Sequence, residues 1–211
     1  GRPGDMTTTI SLLRHGLVEN PEAVYYGRLP HFGLAARGRA QAIAAGRYLA
    51  DANISAIYHS PLLRAEQTAG LVAAQLSAPA PLIACDLLTE IYSPYDGQTI
   101  AAMEQRNWDF YGEIAPPYET PADILARVLA FFSHARAEYT GRHIVALSHG
   151  DLIAFAILWA FGRPATGAAK RELIDCGVDD LYPAPASLST FRFDADGALI
   201  EYRYHCPHDD K

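Results

Sequence analysis

Residues 143–161 read HIVALSHGDLIAFAILWAF. His143 to Leu147 is a compact apolar run of strand length, Ser148, His149 and Gly150 supply a turn, and Asp151 begins a segment apolar enough to be a buried helix. A strand that ends in a polar turn and passes directly into a buried helix is part of a βαβ unit. Working outward, the same order of elements recurs on the N-terminal side. Thr8 to Leu13 is β-prone and breaks at Gly16, followed by a loop containing Asn20, Pro21, Gly27 and Pro30. The stretch RGRAQAIAAGRYLADA, residues 37–52, places Ala40, Ile43, Ala44 and Tyr48 on one helical face. Ser55 to Tyr58 reads as a second strand, after which Ser60 and Pro61 predict an N-cap and first-turn proline for the helix LLRAEQTAGLVAAQL. Leu82 to Ala84 is a third strand.

From Glu90 to Tyr118 the chain is irregular and rich in Tyr, Pro and Gly, with a short helix near Thr99 to Arg106. It reads as an excursion over the core, with residues from about 90 to 120 forming an insert above the site. Thr120, Pro121 and Asp123 open a helix in which Leu125, Val128, Leu129 and Phe132 share a face, running to about Tyr139. Ser187 to Phe193 and Leu199 to Tyr204 flank Asp196-Gly197, a hairpin signal. Alternating strands and helices imply a single three-layer α/β/α sandwich over residues 1–211, with a mostly parallel central sheet and a hairpin at one edge. Residues 1–7 are expected to be disordered or foreign to the domain.

Composition narrows the function. Seventeen Lys and Arg against 24 Asp and Glu leave a formal charge of −7, which argues against a nucleic-acid partner. With 50% hydrophobic residues the chain of 211 can bury a core. The longest apolar run, Leu152 to Phe161, is too short to cross a membrane, and the first residues do not read as a secretory signal. Three widely spaced cysteines, Cys85, Cys176 and Cys206, suggest neither a disulfide framework nor a zinc ribbon, so a reducing cytoplasm is expected. The Trp108–Phe110 cluster and the apolar helix read as core or cover, and homo-oligomer formation is left open.

In parallel sheets ligands bind beyond the carboxyl ends of the strands, which singles out the residues after Leu13, Tyr58 and Leu147. There LLRHG (Leu12–Gly16) and ALSHG (Ala146–Gly150) each carry a histidine followed by glycine. Arg14 precedes the first histidine and Arg64 sits in the first turn of a helix. Guanidinium groups and the free N–H groups of a helix start both favour a phosphoryl group. The plainer alternative is that Arg14 and Arg64 pair with Glu66 or Glu90 in ordinary bridges.

Together these motifs resemble the histidine phosphatase superfamily, which includes the phosphoglycerate mutases. LLRHG is similar to its RHG signature, HSPLLRAEQTA (His59–Ala69) to its S-P-x-x-R-A-x-Q-T-A segment, LLTEI (Leu87–Ile91) to its acid-bearing segment, and ALSHG to its second histidine motif. The resemblance extends from about Thr8 to Phe161 and continues in a closing β segment after Ser187. It implies that His15 is a nucleophile that becomes phosphohistidine, that Arg14 and Arg64 hold the transferred group, that His149 is the second pocket histidine, and that Glu90 protonates the leaving oxygen. It implies no metal and no cofactor. The family's RHGxTxxxN is here RHGLVENP, with Val18 at the hydroxyl position and Asn20, a candidate phosphate ligand, one residue early. After the acid, EIYSPYDGQ has Pro94 where glycine is usual. PPYETPADILARV is similar to the GES-plus-helix segment of phosphatase members, with Tyr118 in place of glycine, and leans toward phosphatase rather than mutase. In VYYGRLPHF (Val24–Phe32), Tyr26 and Arg28 are expected at the substrate entrance.

Rival readings are few. ALSHGD resembles a nucleophile elbow, but Ala146 stands where that motif needs glycine. His205, Cys206, His208, Asp209 and Asp210 are suitable metal ligands by type, though their packing at the C-terminus reads as an exposed tail. The expected partner is a small phosphorylated metabolite, with no nucleic acid and no membrane. The alternatives are a mutase or a catalytically weak phospholigand-binding domain.

Overall fold

The computed structural model describes residues 6–210, so the expectation for residues 1–7 lies outside the described part for residues 1–5. Six strands form one sheet: β1 (Thr8–Arg14), β2 (Ile54–His59), β3 (Leu82–Ala84), β4 (His143–Ser148), β5 (Leu188–Phe193) and β6 (Leu199–His205). Their order is β3-β2-β4-β1-β5-β6. The first four run parallel, and β5 and β6 are antiparallel additions at the edge beside β1. The helices are α1 (Ala36–Leu49), α2 (Leu63–Ala73), α3 (Ile100–Gln105), α4 (Pro121–Glu138) and α5 (Gly150–Ala160), with 3-10 segments at Asp86–Leu88 and Ala168–Cys176.

The two-residue period of the strands divides the core into two layers. Ile10 and Leu12 of β1, Ala56 and Tyr58 of β2, and Ile144 and Ala146 of β4 face α4 and α5, packing with Val128, Phe131, Phe132 and Phe155. The alternate residues Leu13, Ile57, Val145 and Leu147 face Ala45 and Leu49 of α1 and Ala65, Ala69 and Val72 of α2. Being covered on both faces explains why β4 reads as an unbroken apolar run. Thr120 and Asp123 form a reciprocal capping box at the start of α4, with Pro121 in the first turn.

Three local expectations are corrected. In α1 the buried face is Gly38, Gln41, Ala42, Ala45, Gly46 and Leu49, whereas Ala40 is exposed and Tyr48 is 59% accessible. The helix lies so near its neighbours that small residues form the contact. A Cβ on Gly38 would come within 2.0 Å of the Leu17 carbonyl oxygen, and one on Gly16 within 2.4 Å of that of Gly38. In α2 the N-cap is Leu62, with no side-chain cap. Ser60 instead bonds His149. The C-terminal segment is docked rather than a free tail. Arg37 pairs with the Asp210 carboxylate, the Gln41 amide donates to the Asp210 carbonyl, and His208 Nε2 donates to the Pro185 carbonyl at 2.6 Å.

Candidate active site

β1 and β4 are neighbours in register, with Arg14 opposite Ser148. The residues that follow them, His15 and His149, therefore emerge side by side, their ring centroids 5.3 Å apart. β2 lies on the other side of β4, so the turn after it delivers Ser60 and, on the first turn of α2, Arg64 to the same place. Glu90 comes from the insert that follows the Asp86–Leu88 segment. His15, His149, Arg64 and Glu90 are all buried.

Hydrogen bonding fixes the protons on both rings. The Gly16 carbonyl 2.8 Å from His15 Nδ1 can only accept, so Nδ1 carries the hydrogen. Arg64 Nε, which can only donate, lies 3.3 Å from His15 Nε2, so Nε2 presents its lone pair. By the same reasoning Arg64 Nη2, 3.3 Å from His149 Nδ1, leaves that nitrogen as acceptor. His149 Nε2 then donates to Ser60 Oγ at 2.8 Å. Burial, reinforced by the charges of Arg64 and Arg14, holds the His15 pKa well below its ordinary value. His149 is lowered by burial, then by Arg64 and His15. Both imidazoles are thus neutral near pH 7.

Glu90 is pushed the other way. Burial raises its pKa against the opposing pull of Arg64 and of a hydrogen bond from the Ile91 amide to Oε1 at 2.9 Å. Its Oε2 lies 3.4 Å from Arg64 Nη2 and 3.6 Å from His149 Nδ1. Arg64 also donates to the Gly27 carbonyl at 2.7 Å, and Tyr26 lies over its guanidinium at 4.7 Å. Arg14 donates through Nη1 to the Pro183 carbonyl at 2.7 Å and stacks over Tyr182 at 5.4 Å. Its Nε is buried and has no hydrogen-bond partner among the described residues.

A cleft of about 1020 Å³ opens from this cluster, with Arg14, His15, Tyr26 and Glu90 in its lining. Two of the sequence candidates have other duties. The Asn20 side chain closes its own loop on the Val24 backbone, donating to the carbonyl at 2.8 Å and accepting from the amide at 3.2 Å. It braces its own loop and is not among the residues that line the cleft. Arg28 is not among the residues that line the cleft. Its Nε donates to the Glu90 carbonyl at 2.7 Å and its Nη2 reaches Glu119 at 3.4 Å, so it clamps the main chain of the acid. The Ser148 hydroxyl donates to the Leu88 carbonyl at 2.7 Å and is buried, which leaves the nucleophile-elbow reading without a nucleophile.

Sequence reasoning missed the opposite wall. Asp151, at the start of α5, accepts hydrogen bonds from Tyr111 and Tyr182 at 2.5 Å each and an ion pair from Lys170 at 2.9 Å. Gly150 is required here, since a Cβ would meet the Tyr182 hydroxyl at 2.4 Å. The signal available was Asp151 itself, an acidic residue directly after the second histidine-glycine pair in a helix otherwise apolar. Among the described residues no group of three or more His, Cys, Asp or Glu is placed to hold a metal. No described helix is long and apolar enough to cross a membrane.

Comparison with known proteins agrees with this architecture. The chain is 31% identical over 207 residues to an uncharacterized protein of Mycobacterium tuberculosis, Rv0525, covering 95% of this chain and 96% of that one. It is 32% identical over 199 residues to the bifunctional protein Rv2228c of the same organism, covering 90% of this chain but 52% of that protein. Among solved structures, Bacillus stearothermophilus YhfR superposes with a TM-score of 0.74 at 23% identity, over 92% of this chain and 94% of that one. The mycobacterial glucosyl-3-phosphoglycerate phosphatase Rv2419c gives 0.72 at 23%, over 95% and 98%. A sequence model of the histidine phosphatase superfamily (branch 1) matches residues 10–202, nearly the whole described fold and every motif around the two histidines, and the chain belongs to that family.

Proposed function

We propose that this protein is a phosphatase that hydrolyses phosphate monoesters of small metabolites through a phosphohistidine on His15. The observation that carries the reading is the proton arrangement at His15. Nδ1–H is tied to the Gly16 carbonyl, and the Nε2 lone pair points into a cationic cluster with a carboxyl of raised pKa beside it. A buried neutral imidazole is a competent nucleophile at pH 7.

In the first step Nε2 attacks phosphorus and the P–O bond to the alcohol breaks. Its electron pair goes to the leaving oxygen, which takes the proton from Glu90. Arg64 and Arg14 balance charge on the non-bridging oxygens, where phosphoryl-transfer catalysis is mostly electrostatic. The unpartnered Arg14 Nε–H gains an acceptor when an anion enters, which offsets its desolvation. In the second step water attacks phosphorus and gives its proton to the Glu90 carboxylate. The P–N bond breaks and its electrons return to Nε2. Nothing in this scheme calls on a metal or cofactor.

The formal charge of −7 around a cationic pocket favours small esters over polyanions such as nucleic acids. Three cysteines that form no disulfide among the described residues suit a reducing cytoplasm. The test is phosphate release from a panel of metabolite esters in EDTA by wild type and His15→Ala, with mass spectrometry of the trapped enzyme at alkaline pH. Turnover that vanishes in the folded variant, together with phosphate on His15, is the expected result. Equal activity in both proteins overturns the nucleophile. Transfer of phosphate between substrate positions without release makes the enzyme a mutase, and binding without turnover makes it a phospholigand-binding domain.

A further inference from the structure

The phosphoryl group accounts for one end of the cleft; the other end is built from rings. Val24, Tyr25, Ile100, Trp108, Phe110 and Tyr111 line it, and the segment from Ala165 to Arg171 faces them. At about 1020 Å³ the cleft lies just above the range, roughly 300–1,000 Å³, in which drug-sized ligands are held. A three-carbon phosphate ester would leave most of it unfilled.

The ring wall is fixed in place. Tyr25 packs on Phe110 at 4.9 Å, and Phe110 on Tyr111 at 6.0 Å. Lys170 Nζ sits 5.6 Å from the Phe110 centroid and 5.4 Å from that of Tyr111. The first loop and the insert are stitched together by bonds from the Tyr25 amide to Gln98 and from the Gly97 amide to Tyr25, both 2.7 Å.

Trp108 is held in a costly conformation. α3 ends in a Schellman arrangement, the Trp108 amide donating to the Met103 carbonyl and that of Asn107 to Glu104, both at 2.9 Å. Such an end wants one left-handed residue, and Asn107 at φ 52° supplies it. Trp108 follows at φ 54°, a left-handed conformation that bulky residues avoid. Its ring packs tilted on Phe110 with centroids 6.3 Å apart, yet the residue is 37% exposed and lines the cleft. A large aromatic kept partly in water on a strained backbone at the rim of a pocket points to a ligand.

We infer that the cleft selects phosphate monoesters whose alcohol carries an aromatic or comparably flat ring, which stacks in the Tyr25–Phe110–Tyr111 wall with Trp108 closing its outer face. This rests on the phosphatase reading and names its substrate class. Offset or edge-on ring contacts and exclusion of apolar surface from water supply the selectivity, and these contacts act mainly on binding.

The test compares 3-phenylpropyl phosphate with propyl phosphate, whose leaving oxygens are chemically alike. Wild type is expected to favour the phenyl ester in kcat/KM by at least about tenfold, the low end of what burying a phenyl group supplies. Trp108→Gly, which takes a positive φ without strain, is expected to cut that preference severalfold through KM, and Trp108→Phe to retain most of it. Equal kcat/KM for the two esters in wild type, or a preference undiminished in Trp108→Gly, overturns the assignment and leaves the phosphatase reading intact. Calorimetric binding of 3-phenylpropylphosphonate and propylphosphonate to wild type is read alongside. If neither ester is hydrolysed the phosphatase reading falls, while a tenfold tighter phenyl phosphonate still supports the ring site and equal affinities refute it.

Discussion

Glu90→Gln removes proton transfer while leaving the size of the side chain and its contact with the Ile91 amide in place. The amide oxygen can keep the bond from the Ile91 amide that Oε1 accepts at 2.9 Å, and the side chain keeps its volume in a buried position. What disappears is a transferable proton beside the leaving oxygen, on a carboxyl whose pKa burial has raised. General acid catalysis contributes about 10²–10⁴ in rate, or ~3–5 kcal/mol of barrier. That full loss is expected for an alkyl ester such as propyl phosphate, whose leaving alkoxide is strongly basic. With 4-nitrophenyl phosphate the departing oxygen is stable as an anion, and the first step should slow by no more than about tenfold. Stopped-flow measurement of the nitrophenolate burst isolates that step, because loss of Glu90 also removes the base for water attack and slows turnover. The variant should therefore show a burst followed by a slow steady state, with the phosphoenzyme accumulating. A loss of equal size on both esters in the burst phase, or an alkyl ester hydrolysed at the wild-type rate, would falsify the assignment of Glu90 as the acid.

Other consequences follow from single contacts. Arg28→Met removes the 2.7 Å bond to the Glu90 carbonyl and should lower kcat about tenfold or more with a small change in KM, since misplacing a catalytic group by ~1 Å is costly; an unchanged kcat refutes the clamp. Gly38→Ala sets a methyl group 2.0 Å from the Leu17 carbonyl oxygen and should cost about 2 kcal/mol or more in urea denaturation, whereas a neutral result would mean that α1 can back away. The folded pKa of His149 lies below its ordinary 6.5, so the unfolded chain takes up its proton first, and this contribution to stability is complete above pH 6.5 and lost as pH falls. Glu90, with its folded pKa raised, works in the opposite sense, adding stability as pH falls. Replacing only the histidine, by His149→Gln, should therefore flatten the decline of the urea midpoint between pH 6.5 and about pH 5, and an unaltered slope contradicts it.

The layers of the fold were legible because short apolar strands alternate with helices along the chain and because α4 announces its start with Thr120, Pro121 and Asp123. The face of α1 was not. Counting apolar side chains favoured Ile43 and Tyr48, while the true contact uses Gly38, Ala42 and Gly46, whose value is the close approach they permit. At the site, His15, His149, Arg14 and Arg64 could be placed together from strand-end logic alone, since each stands within a few residues of a strand terminus. Asn20 and Arg28 could not be judged that way. Their roles depend on how an irregular loop folds on itself and on Glu90, which no periodicity encodes. The Asp151 wall was hidden for a related reason. Tyr111, Lys170 and Tyr182 come from separate segments without repeat or motif, and only the fold makes them neighbours.

That wall bears on how such an enzyme can change over generations. One carboxylate, Asp151, ties the ring-lined side of the cleft through Tyr111 to the platform under Arg14 through Tyr182. A substitution at Tyr111 that admits a new substrate also loosens the residue on which Arg14 rests, so selectivity and speed are inherited as one trait. Drift toward another ester would then proceed fastest by way of Trp108, which lines the cleft outside the bonds that Tyr111, Lys170 and Tyr182 make to Asp151.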